Sequence, residues 1–164
     1  MDRSREQRLR GAAGVKALHA DPDFATGHAE QGVPPRRSRV ILYEACEANE
    51  ATIHSVLDPE RYEVVSCPGG QALLEEVVQR KPDVVVYGLR PDCEQDLGVL
   101  HLLRRMAPEV PLVLVASEAS LGTQKQVQEL RPIYYAVRPV DASELREALE
   151  AAVVRRGRTR EWSG

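Results

Sequence analysis

The sequence predicts an α/β fold in which one parallel sheet lies between two layers of helices. Five short apolar runs, rich in Val, Leu and Ile, alternate along the chain with stretches whose apolar residues recur at helical spacing. The runs are too short for helices, and a continuous apolar run is typical of a strand buried on both faces. Regular alternation of strands and helices indicates a parallel sheet joined by right-handed crossovers.

The five predicted strands are short apolar segments bounded by turn residues. They cover residues 40–43, 62–66, 84–87, 112–115 and 134–137. The first is β-branched at its start, and the second is closed by the turn sequence Pro-Gly-Gly. The third, VVVY, is uninterrupted and is expected to be buried on both faces.

The five predicted helices share apolar residues three or four positions apart. They cover residues 49–57, 71–79, 97–106, 123–130 and 141–154. Pro59 and Pro108 follow the first and third, where proline ends a helix. The fourth is largely polar. The fifth opens on Asp141, a good N-cap, with Glu144 three residues later in the arrangement of a capping box.

The change of pattern at Arg39 divides the chain into three parts. Residues 1–38 show no sustained period and end in the linker-like sequence PPRRS, so we expect a flexible or partly helical extension. Residues 39–156 form the predicted domain, and residues 157–164 form a basic tail that we expect to be solvated. We expect no DNA-binding domain to follow.

Composition and charge exclude several classes of function. The chain is 43% hydrophobic and 4% aromatic, which is typical of a globular domain with an aliphatic core. Residues 39–154 carry 11 basic and 19 acidic groups, a net charge of −8 that opposes binding to nucleic acid across a broad surface. No apolar run approaches the roughly 20 residues that span a bilayer, so we expect a cytoplasmic protein without a membrane span.

Five segments together resemble the receiver domains of two-component response regulators. They read RVILYEACEAN (39–49), YEVV (62–65), KPDVVVYGL (81–89), PEVPLVLVAS (108–117) and YAVRPVDASEL (135–145). The resemblance covers Arg39 to about Arg156. It implies the flavodoxin-like, doubly wound fold with strand order 2-1-3-4-5, and a single-domain signalling protein rather than an enzyme.

The resemblance also assigns positions to a phosphorylation pocket that has lost its chemistry. The acidic pair that holds Mg²⁺ falls on Glu44 and Ala45, and the phosphate-accepting aspartate falls on Gly88. The hydroxyl position falls on Ala116 and the lysine position on Arg138. Glycine cannot form an acyl phosphate, so the resemblance is to a pseudo-receiver with no cofactor and no metal. We do not expect Asp92 or Asp96, assigned to the loop beyond, to replace the missing aspartate.

We expect Gly88 and Arg138 to lie on one edge of the sheet, where the carboxyl ends of its parallel strands meet. Two features of this edge stay open at the level of sequence. Arg138 either pairs with Glu44, filling the space left by metal and phosphate, or points to solvent; the resemblance also implies a cis peptide before Pro139. Cys46, Cys67 and Cys93 follow neighbouring strands, and they are either a redox or metal-sensing cluster or small buried apolar residues. We favour the second interpretation, because Glu44 opposes a thiolate.

The resulting hypothesis is a phosphorylation-independent adaptor that binds a protein partner. The expected surface is the face of the fourth helix, fifth strand and fifth helix, through Tyr135 and Arg146, which would dock a signalling protein or a second copy. The alternative is a sensor of a small ligand, metal or oxidant at the degenerate pocket rim. A third hypothesis is nucleic acid binding through the basic tails.

Overall fold

The computed structural model describes residues 35–92, 94–117 and 120–163. The predicted N-terminal extension falls mainly on residues 1–34, which lie outside the described residues, as does Cys93. The strands are β1 (Ser38–Tyr43), β2 (Tyr62–Ser66), β3 (Val84–Leu89), β4 (Leu112–Ala116) and β5 (Tyr134–Val137). The helices are α1 (Glu47–Val56), α2 (Gly70–Arg80), α3 (Glu94–Met106), α4 (Leu121–Glu129) and α5 (Ala142–Ser163).

The strands form one five-stranded parallel sheet in the order β2-β1-β3-β4-β5, so the predicted topology is confirmed. β1 lies between β2 and β3, with Val40 opposite Val84 and Tyr43 opposite Tyr87. The chain therefore switches direction of winding beside β1. In folds of this kind, ligands bind beyond the carboxyl ends of the strands at the switch, next to β1 and β3.

The core consists of two apolar clusters, one on each face of the sheet. Successive strand residues point to opposite faces, so Ile41 joins one cluster while its neighbours Val40 and Leu42 join the other. The first cluster packs against α2, α3 and α4 and the second against α1 and α5. Every residue of β3 is buried, as its uninterrupted apolar sequence predicts.

β3 is two residues longer than predicted, and this difference affects the site. Gly88 and Leu89 continue the strand and pair with Val115 and Ala116 of β4. Glycine is unfavourable in strands, so the sequence ended the predicted strand at Tyr87. Gly88 therefore belongs to the buried sheet and not to the loop that follows it.

α5 continues to Ser163, and the predicted helix end at Val154 is wrong. Glycine at position 157 is about 1 kcal/mol less favourable in a helix than alanine. Contacts between α5 and the amino edge of the sheet offset this cost. One guanidinium nitrogen of Arg160 lies 2.6 Å from Asp83 Oδ1, and another donates to the Lys81 carbonyl at 2.9 Å. Arg156, one turn earlier, is buried. None of the helices among the described residues has both the length and the apolar character to cross a membrane.

Candidate functional site

The carboxyl edge of the sheet collects residues from four strands. Glu44 directly follows β1, and Gly88 is the penultimate residue of β3. Ala116 ends β4, and Arg138 directly follows β5. Parallel strands end at the same edge, so residues far apart in sequence meet here. The prediction that Gly88 and Arg138 lie on one edge is confirmed.

Glu44 is a buried carboxylate that is fully engaged by neighbours. Its side chain is 2% exposed, and its Oε1 accepts a hydrogen bond from the Cys46 backbone N–H at 3.1 Å. Its Oε2 accepts a hydrogen bond from the guanidinium of Arg138. A buried carboxylate needs such donors, because an unpaired charge in the interior is strongly unfavourable.

Arg138 reaches across the end of β3 to make this ion pair. Its side chain is 15% exposed, and Nη1 also donates to the Leu89 carbonyl at 3.2 Å and to the Ser117 hydroxyl. Of the two alternatives that the sequence leaves open, the structure shows the ion pair with Glu44 and not a solvent-directed guanidinium. The Arg138–Pro139 peptide is cis, as the resemblance implies.

The Glu44 carboxylate occupies the space that a side chain at position 88 would need. A Cβ atom added to Gly88 would lie 2.6 Å from Cδ and 2.9 Å from Oε1 of Glu44, and closer still to Oε2. Cβ atoms essentially never approach other heavy atoms within 3.0 Å. A side chain at position 88 therefore fits only if the Glu44 carboxylate moves, and the ion pair with Arg138 holds that carboxylate in place.

Comparisons with known proteins agree with this architecture. No protein-family model matches the sequence. The structure superimposes on a CheY-like response regulator receiver domain from Methanospirillum hungatei with a TM-score of 0.67 and 18% identity, covering 76% of this chain and 99% of that one. It also superimposes on the signal receiver domain of a LuxO repressor protein from Vibrio parahaemolyticus with a TM-score of 0.69 and 16% identity, covering 79% and 99%. The chain has the receiver fold.

Sequence similarity to curated proteins is weak and partial. The regulatory protein LuxO of Vibrio cholerae is 23% identical over 103 residues, which are 63% of this chain and 23% of LuxO. The chain thus spans about a quarter of the length of the curated relatives it matches.

The receiver fold normally places a magnesium site at this edge, and the residues present do not fit one. Ala45 and Gly88 offer no side-chain oxygen. The single remaining carboxylate, Glu44, is already bound by Arg138 and the Cys46 backbone N–H. Mg²⁺ prefers several oxygen ligands in octahedral geometry, which this donor set does not supply.

Ala45 and Ala116 occupy the positions where a receiver domain has its second acidic residue and its hydroxyl residue. Ala45 is exposed, whereas Ala116 is 2% exposed and belongs to the core. The hydroxyl that reaches the site comes from Ser117, one residue later, which accepts the hydrogen bond from Arg138. The sequence gives no signal for this role of Ser117, because the family pattern assigns the hydroxyl position to Ala116.

A second buried carboxylate, Asp96, fixes the connection after β3. The sequence assigned Asp96 to a loop, but it lies in the first turn of α3 and is 1% exposed. It accepts hydrogen bonds from the Tyr87 hydroxyl at 2.8 Å and from the Arg90 backbone N–H at 3.0 Å, and it pairs with the Arg90 guanidinium. Burial and the Asp96 hydrogen bond raise the pKa of Tyr87 well above its usual range, which keeps its hydroxyl a donor.

The cysteines do not form a site among the described residues. Cys67 is buried, and burial raises the pKa of its thiol, which disfavours the reactive thiolate. Cys46 is exposed, contrary to the expectation of a small buried residue. Within residues 35–92, 94–117 and 120–163, no group of three or more His, Cys, Asp or Glu side chains could hold a metal ion.

The two residues predicted to contact a partner on the face of α4, β5 and α5 differ in their exposure to solvent. Arg146 is exposed, whereas Tyr135 is half-buried and packs against the first core cluster. Its neighbour Tyr134 donates a hydrogen bond to Glu144 at 3.0 Å, and burial and this bond raise the pKa of Tyr134 to about 12. β5 is thereby tied to the start of α5.

Proposed function

We propose that this chain is a receiver-like signalling domain that takes no phosphate and acts by binding a protein partner in its unmodified form. The observation that carries the proposal is the Glu44 carboxylate lying over Gly88. In a working receiver, the residue at the position of Gly88 is an aspartate that is phosphorylated with the help of Mg²⁺. Here the carboxylate of Glu44, which follows β1, occupies that volume, and its ion pair with Arg138 keeps it there.

The same contacts support a surface that holds one arrangement. Arg138 joins the ends of β1, β3, β4 and β5 through Glu44, Leu89 and Ser117. In an active receiver, the phosphate recruits the hydroxyl at the end of the fourth strand, and the aromatic residue of the fifth strand turns inward. The contacts of Arg138 form without phosphate, although its Nε is buried without a hydrogen-bond partner among the described residues. The partner is therefore expected to recognise a constitutive conformation.

The first test is phosphorylation by a small donor. We expect incubation of the full chain with acetyl phosphate and Mg²⁺ to leave its intact mass unchanged, because position 88 has no carboxylate. A receiver domain that retains the aspartate serves as the positive control in the same reaction. A stoichiometric, hydroxylamine-labile phosphoryl adduct on this chain would overturn the proposal.

The second test concerns the face formed by α4, β5 and α5. Arg146 is exposed, and Val137 at the end of β5 is 37% exposed, so a partner can contact both. We expect Arg146→Glu, alone or combined with Tyr135→Ala, to weaken association through this face. Capture of a protein partner measures one form of association, and sedimentation of the isolated chain measures self-association. Partner binding is expected to fall at least tenfold, because Arg is frequent among residues that dominate interface energies.

A matched control separates this effect from a general change of charge. Arg105 is exposed on α3, away from the proposed face, and Arg105→Glu is expected to leave association unchanged. The half-buried position of Tyr135 makes Arg146→Glu the more informative single variant, since Tyr135→Ala also removes core contacts. Equal loss with Arg105→Glu, or retained association with both changes at positions 135 and 146, would place the interface elsewhere.

A further inference from the structure

A cleft of about 690 Å³ opens at the amino edge of the sheet, on the opposite side from the Glu44–Arg138 pair. It lies among the last turns of α2 and α3 and the part of α5 that extends beyond Val154. Its floor is apolar and buried, formed by Val77, Ala107 and Val110. Its rim carries two exposed apolar side chains, Val78 at 56% and Met106 at 44% exposure.

Arg156 lines this cleft, and one of its guanidinium nitrogens has no hydrogen-bond partner among the described residues. Its side chain is 8% exposed, and its ionic partner is Glu109, at 3.6 Å, whose side chain is 43% exposed. Its Nε is buried without a hydrogen-bond partner among the described residues. A guanidinium withdrawn from water is unfavourable unless acceptors replace the lost water, so this group is prepared to bind an anion.

The charges around the cleft leave an excess of one positive charge. Arg160 also lines the cleft, and its guanidinium is paired with Asp83. Lys81, Arg156 and Arg160 are therefore opposed by two carboxylates, those of Asp83 and Glu109. The surrounding domain is acidic, so a local cationic excess above an apolar floor is a distinct feature of the molecule.

We propose that this cleft binds an amphipathic monoanion, a carboxylate attached to an apolar chain or ring. The carboxylate accepts hydrogen bonds from the Arg156 guanidinium in the fork geometry that arginine offers. The apolar part lies against Val77, Ala107 and Val110, where its removal from water contributes to binding. This site is independent of the proposed signalling function, and either can fail without the other.

The experiment is calorimetric titration of the full chain with decanoate below its micelle-forming concentration. We expect saturable binding at one site. Acetate lacks the apolar chain and decanol lacks the charge, so each is expected to bind at least about tenfold more weakly. Absence of saturable decanoate binding, or decanol binding as tight as that of decanoate, would overturn the proposal.

Variants on α5 distinguish a ligand-binding arginine from a merely structural one. Arg156→Met keeps the length of the side chain and removes the charge, so we expect an unchanged or higher Tm together with at least a tenfold loss of decanoate affinity. Arg158→Met, an exposed position two residues later, is the matched control and is expected to bind decanoate normally. A folded Arg156→Met protein that binds decanoate like the wild type would refute the site.

A rim variant keeps the proposal testable if Arg156→Met does not fold. Val78 is exposed, so Val78→Glu leaves the core intact while placing a negative charge at the entrance. We expect at least a tenfold weaker decanoate affinity from this repulsion. Unchanged affinity in Val78→Glu would show that decanoate binds elsewhere.

Discussion

Replacing Arg138 with methionine is expected to lower the free energy of unfolding by about 3–5 kcal/mol, the typical effect of removing one partner from a buried ion pair. This loss of stability arises because the Glu44 carboxylate stays buried without its cation. The carboxylate has almost no access to water and would keep only the Cys46 backbone N–H as a hydrogen-bond donor. Urea unfolding followed by circular dichroism measures the change through the shift of the midpoint.

A second substitution in the same pair tests this explanation. Adding Glu44→Gln to Arg138→Met removes the stranded charge while keeping an oxygen for the Cys46 N–H, so the double variant should regain at least half of the lost stability. Arg105→Met, at an exposed position of α3, should change stability by less than about 0.5 kcal/mol. Equal instability in the single and double variants at positions 138 and 44 would show that the ion pair is not the cause.

Placing an aspartate at position 88 is expected to destabilise the fold by about 3–5 kcal/mol. The new Cβ would collide with the Glu44 carboxylate, and the new charge would lie beside an existing one in a buried site. Gly88→Asp is therefore expected to reduce both Tm and the yield of folded protein. Thermal unfolding monitored by circular dichroism gives the size of the effect.

The stability of the Gly88→Asp variant is expected to recover when the Glu44 side chain is removed from the space beside position 88. Glu44→Ala combined with Gly88→Asp empties the volume and leaves Arg138 a carboxylate within reach, so most of the stability should return. Gly98→Asp is the matched control, because a Cβ at this exposed position of α3 meets no atom within 4 Å. If Gly88→Asp is as stable as Gly98→Asp, the close packing of Glu44 over Gly88 is wrong.

The sheet and its edge could be predicted because they depend on local patterns. Five apolar runs separated by helical stretches determine a parallel sheet, and a parallel sheet brings all its carboxyl ends together. Glu44 and Arg138 directly follow two of these strands, and the strand order that brings them near each other is implied by the resemblance to receiver domains. The choice between an ion pair and a solvent-directed guanidinium required the side-chain positions.

Other features depend on contacts between distant residues, which local patterns do not encode. The close approach of Glu44 to Gly88 joins β1 to β3, and a glycine in the sequence does not indicate which neighbour fills the space beside it. The length of α5 depends on Asp83, far earlier in the chain, whereas Gly157 alone indicates an early end. Asp96 was assigned to a loop because the helix start was taken from its first apolar residue, Leu97.

The position of the Glu44 carboxylate also constrains which sequences this fold can reach by single mutations. A mutation that introduces aspartate at position 88 meets an occupied space, and the instability we expect from it would remove the variant before selection could act on a new activity. The change at Glu44 must come first, and by itself it strands Arg138 without its carboxylate. Because we expect each single step to lower stability, an aspartate at position 88 becomes accessible to this chain through a paired change with Glu44.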